Sequence, residues 1–127
     1  MGWVEKRANC TLQKTFDKIA EQIEQDVTEF NKLNEIKETR VFKFNRPNLT
    51  TVLVGEGNEK GGWMPGAPQM MLSIELKCIR ATVGSRLLFI LKQIWNIETL
   101  ECDLKIDDKN RSLTEISQLA IGDILFD

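Results

Sequence analysis

The chain has 127 residues, 42% hydrophobic and 28% charged, with a formal net charge of −2; it is long enough for one core, and its composition is neither that of a disordered chain nor that of a membrane-spanning one. The negative balance, with Lys and Arg scattered along the sequence, argues against a partner recognised by phosphate neutralisation, so neither nucleic acid nor a membrane surface is expected. Histidine and tyrosine are absent, which removes the commonest general base and metal ligand together with every Ser-His and Cys-His dyad.

Glu5, Lys6 and Arg7 follow the first apolar residues directly, so no export signal develops. The three cysteines, Cys10, Cys78 and Cys102, then read as reduced thiols of a cytoplasmic protein. Cys78 and Cys102 fall in the apolar phase of two predicted strands, which gives them buried, inert packing roles.

From Leu12 to Leu33 apolar residues recur at Leu12, Phe16, Ile19, Ala20, Ile23, Val27, Phe30 and Leu33. Steps of three and four predict a helix of six turns, about 33 Å long. Thr11 is placed to cap its start and Asn34 to stop it. Asp17, Glu21, Glu24, Asp26 and Glu29, set against Lys14, Lys18 and Lys32, make its outer face a solvated acidic surface.

The period then changes to two. Arg40 to Arg46 alternates with Phe42 and Phe44 on one face, Asn45-Arg46-Pro47-Asn48 reads as a turn, and Leu49 to Val54 as the return strand. Gly55 to Gln69 holds five of the eight glycines and two of the three prolines, so a hairpin-like or flexible surface loop is expected there. Met71 to Arg80 reads as one strand with Leu72, Ile74, Leu76 and Cys78 facing one way.

Gly84-Ser85 turns the chain into Arg86 to Trp95. Its run Leu87-Leu88-Phe89-Ile90-Leu91 is apolar in both phases, which predicts a central strand covered on both sides; a helix over the same residues is the competing reading. Glu98 to Ile106 alternates with Leu100, Cys102, Leu104 and Ile106 inward. Ser112-Leu113-Thr114-Glu115 fits the capping box of a short C-terminal helix, with Leu113, Ile116, Ala120 and Ile124 on its buried face and Gly122 weakening its end.

The fold class expected is α+β: a long N-terminal helix packed on a five-stranded, mainly antiparallel curved sheet, with a short C-terminal helix, in one domain spanning residues 1–127. No motif assigns a reaction, a cofactor or a metal. Gly55-Glu56-Gly57-Asn58-Glu59-Lys60-Gly61 lacks the helix and the Lys-Ser/Thr of a phosphate loop. Asp103, Asp107, Asp108 and Asn110 lack the central glycine and terminal glutamate of a calcium loop.

Two groups remain as candidate ligand- or partner-binding residues. Trp63 and Met64, between glycines and Pro65, suit a lid or contact, or an anchor holding a long loop down. Glu75, Lys77 and Glu101 lie on the polar phase of two strands, where they wet the sheet or, if it encloses a cavity, supply acid and base. The function expected is a binding or interaction module, a homodimer or one that contacts an apolar small molecule or a protein. The alternative is a small-molecule-binding domain with a cavity between helix and sheet, in which Glu and Asp perform acid–base chemistry.

Overall fold

Residues 2–34, 40–58 and 60–126 are described by the computed structural model; Glu59, in the glycine-rich segment, lies outside them. The elements are α1 (Trp3–Ala8), α2 (Leu12–Asn34), β1 (Phe42–Asn48), β2 (Thr51–Glu56), β3 (Gln69–Glu75), β4 (Cys78–Val83), β5 (Arg86–Asn96), β6 (Glu101–Ile106), β7 (Lys109–Asn110) and α3 (Leu113–Phe126). All seven strands pair antiparallel in chain order, β1 to β7, as one open meander.

The period-3.6 pattern forms α2 as expected. Thr11 Oγ1 accepts from the Lys14 backbone N–H at 3.1 Å, an N-cap contact. Phe16, Ile19, Ala20, Ile23 and Val27 are buried, while Leu33 is 71% exposed, so the apolar stripe outlasts the core at the last turn. α3 runs through Gly122 to Phe126 and is longer than the sequence suggested. Its capping box is formed: the Ser112 N–H donates to Glu115 Oε1 at 3.0 Å, and the Glu115 N–H donates to Ser112 Oγ at 3.1 Å.

Seven strands replace the expected five, and turn chemistry is the reason. The segment taken as one strand from Met71 to Arg80 is a hairpin. Glu75 pairs with Cys78, and Leu76, 98% exposed with φ 54°, occupies the turn with Lys77. A two-residue turn exchanges the faces, so Ile79 and Ala81 join Leu72 and Ile74 in the core while Cys78 moves to the other side. β7 is added by Asp107-Asp108, both at positive φ (52° and 63°) between paired Ile106 and Lys109, the backbone of a type I′ turn.

Asn45-Arg46-Pro47-Asn48 is strand and bulge rather than turn. β1 is an edge strand, where proline is tolerated. The turn falls at Leu49-Thr50, with Asn48 Oδ1 accepting from the Thr50 N–H at 2.9 Å. The 86–96 segment is a strand, not the competing helix.

α2 and α3 cover one face of the sheet. Phe16, Ile19, Ile23, Leu72, Ile79, Leu91, Ile116 and Ile121 fill the space between the layers. Asn31 ties α2 to the outer edge of β1: its Oδ1 accepts from the Phe42 N–H at 2.9 Å and its Nδ2 donates to the Phe42 carbonyl at 2.8 Å. With the bulge and Pro47 at its other end, β1 is blunted against pairing with a further strand.

The cysteines depart most from expectation. Cys10 and Cys102 form a disulfide across 92 residues, clipping the α1–α2 junction to β6; neither is the reduced thiol that the sequence suggested. Spacing could not reveal the pair, because only the order of the sheet brings β6 under residue 10. Gln93 Oε1 lies 3.2 Å from Cys10 Sγ, and Arg7 stacks over Trp95 at 6.0 Å, so the same corner also seats α1. Cys78 is free and half-buried on the face away from the helices, not in the core.

Candidate interaction surface

The side chains of the helix-free face follow from the strand register. Directly paired residues share a face, so Leu53, Met71, Thr82 and Leu87 form one row across β2 to β5. Thr51, Ser73, Arg80 and Ile90 form the next. On β5 and β6, Lys92 faces Lys105, Ile94 faces Asp103 and Asn96 faces Glu101. The rows stand about 7 Å apart, two residues along a strand.

An antiparallel sheet covered on one side normally alternates apolar inward and polar outward. Here the outward set includes Met71 (42% exposed), Leu87 (45%), Ile90 (40%) and Ile94 (45%), beside half-buried Leu53. Leu87 owes its direction to a bulge: the register slips between Ala81 and Thr82, leaving Leu88 as the extra residue and turning Leu87 outward. The expectation that β5 is covered on both sides is therefore corrected. Phe89 and Leu91 are buried under the helices, whereas Ile90 and Ile94 meet solvent.

Basic groups are set among these apolar ones. Arg80 Nε lies 3.1 Å from Glu75 Oε2 in an ion pair. Lys92 and Lys105 are directly opposed on the same face, and among the described residues no ion pair involves either. Like charges so placed repel. Asp103 accepts from Asn96 Nδ2 at 2.9 Å.

The candidates named from the sequence fall around this surface rather than at one point. Gly57 bridges to Trp63, the Asn58 N–H donates to the Gly62 carbonyl at 2.9 Å, and Asn58 Oδ1 accepts from the Gly62 N–H at 2.8 Å. The glycine-rich segment is thus a hairpin extension held by its own asparagine. The half-buried Trp63 ring rests on Gly55, where an added Cβ would lie 3.3 Å from it, and Lys43 Nζ sits 4.7 Å from the ring centroid. Met64 is 38% exposed beside it.

Glu75 is exposed and paired with Arg80, Lys77 is in the β3–β4 turn, and Glu101 is exposed at the start of β6. β4 and β5 separate Glu75 from Glu101, about 14 Å across the sheet by strand spacing alone. The two carboxylates do not form an acid–base pair. The interior between α2 and the sheet is filled by side chains of zero exposure. A depression lined by Glu24, Gln25, Thr28, Glu29 and Lys32 lies on the solvent side of α2.

Leu53, Met71, Arg80, Lys92, Ile94 and Lys105 were not singled out from the sequence; the two-phase apolar run of β5 was the one signal pointing to them. Elsewhere, the Arg46 guanidinium and the Gln13 amide hold the Asp17 carboxyl below its ordinary value, and the Ser112 N–H and Arg111 do the same for Glu115. Both groups staple helices and lie away from the open face. Among the described residues no helix is long and apolar enough to cross a membrane. Comparison of the chain with protein-family models, curated proteins and solved structures finds no match.

Proposed function

We propose that this protein is a non-covalent interaction module whose binding surface is the helix-free face of its sheet. The observation that carries the reading is the broken alternation: Met71, Leu87, Ile90 and Ile94 stand outward where a solvated sheet places polar residues. Apolar side chains gathered on one open face gain free energy when a partner covers them, at roughly 25 cal/mol per Å² removed from water. The blunted β1 edge favours this face over strand addition at β1 as the route of contact. The Trp63 hairpin is an anchor at the rim of the surface. The Cys10–Cys102 clip suits surroundings that keep thiols oxidised rather than the cytoplasm.

Selection of peptides from a display library of random 16-residue sequences on the unaltered protein alone, followed by affinity measurement against it and against Ile90→Glu, tests the assignment. Binders of the unaltered protein should lose at least ten-fold in affinity for Ile90→Glu, while its melting temperature stays within a few degrees. Peptides that bind both proteins equally would place the surface elsewhere.

A further inference from the structure

We infer that the partner is a protein segment rich in acidic and apolar residues, with its carboxylates seated on the Lys92–Lys105 pair and its apolar side chains on Ile90, Ile94 and Met71. This rests on the interaction-surface reading above and gives its partner a chemistry. Along β5 the open face reads Ile90, Lys92, Ile94, an apolar–basic–apolar order repeating about every 7 Å. Lys105 doubles the central charge from the neighbouring strand.

Two ammonium groups on directly opposed positions repel, and an anion between them removes that repulsion. Glu75 is ion-paired with Arg80, whereas Asp103, which accepts from the neutral Asn96 amide, and exposed Glu101 keep their charge on β6 at the Asn96 end of the same face. Beside Ile90, the lysine pair is a concentration of positive charge that no ion pair answers among the described residues. The α2 layer is acidic on balance: Asp17, Glu21, Glu24, Asp26 and Glu29 outnumber Lys14, Lys18 and Lys32. An acidic segment is thus disfavoured over α2 and finds its attraction locally, at the lysine pair beside Ile90. Two lysines fall short of the clusters of about four to eight basic residues that hold a protein to an anionic membrane, which favours a short segment over a lipid surface.

The peptides selected above supply the test. They should be enriched in Asp and Glu beside apolar residues. Affinity should fall at least ten-fold for the double variant Lys92→Glu/Lys105→Glu, and also when salt is raised from 50 to 500 mM. The double variant Lys18→Glu/Lys32→Glu, with the same charge change on the helix layer, should bind as the unaltered protein does, and both variants should melt cooperatively.

Neutral or basic peptides, or acidic ones indifferent to Lys92 and Lys105, would overturn the inference while leaving the surface assignment intact if Ile90→Glu still abolishes binding. Absence of any Ile90-dependent peptide would overturn both. Phosphatidylserine vesicles that sediment the protein through Lys92 and Lys105 would replace the segment by a membrane. Concentration-dependent self-association lost in Ile90→Glu would replace it by a second copy of the chain.

Discussion

Breaking the Cys10–Cys102 bond removes a constraint whose size follows from its place in the chain. The bridge closes a loop of 92 residues, and loop-closure entropy for that length amounts to about 4.6 kcal/mol at 25 °C. Residual structure in the unfolded chain lowers the figure, so a loss of about 3–4.5 kcal/mol is expected. Domains of this size are stable by only about 5–15 kcal/mol in total, so the bridge is a large share. The assay is urea unfolding of the oxidised protein with and without dithiothreitol, alongside Cys10→Ser/Cys102→Ser. With a slope of about 2 kcal/mol per molar, the midpoint should fall by roughly 2 M. Amide exchange in residues 3–10 should quicken too, because α1 buries none of its own residues and loses its covalent tie to β6. Coincident melts in the two conditions would refute the reasoning, as would alkylation of all three thiols in the native protein without reductant.

Asn31→Ala removes two hydrogen bonds to Phe42 and should cost about 1–3 kcal/mol; thermal melts would show it, and an unchanged melting temperature would mean that water replaces the amide freely. Gly55→Ala drives a Cβ to 2.9 Å from Gln69 Cγ and 3.3 Å from the Trp63 ring, so Trp63 fluorescence should shift to the red as the indole is pushed into water; emission identical to the unaltered protein would remove Trp63 from its place on Gly55. Asp17 and Glu115 titrate below their ordinary values in the folded state. Their stabilising contribution is therefore complete above the ordinary carboxylate range and lost as pH falls through the lowered values, below about pH 4. Asp17→Asn/Glu115→Gln should flatten that acid limb in urea melts taken between pH 2 and 6, and an unaltered limb would assign acid lability to other carboxylates.

The sequence by itself determined what depends on near neighbours. Apolar steps of three and four marked α2 to within a residue, because a helix hydrogen-bonds within four residues and its buried stripe recurs along one segment. The Thr11 cap and the Ser112–Glu115 box were legible for the same reason: each closes over three residues. The tertiary structure decided what depends on pairing across the chain. Leu76 carries no mark of a turn residue, yet the β3–β4 register places it at positive φ and sends Cys78 to the opposite face from the one its spacing implied. The slip beside Leu88 that turns Leu87 outward is likewise a property of two strands together. Cys10 and Cys102 meet only because five strands intervene in order between α2 and β6. The open face belongs to the same class. Its residues come from five strands, and the sequence showed only that β5 is apolar in both phases; that the helices cover one phase and leave the other open was settled by where α2 and α3 pack.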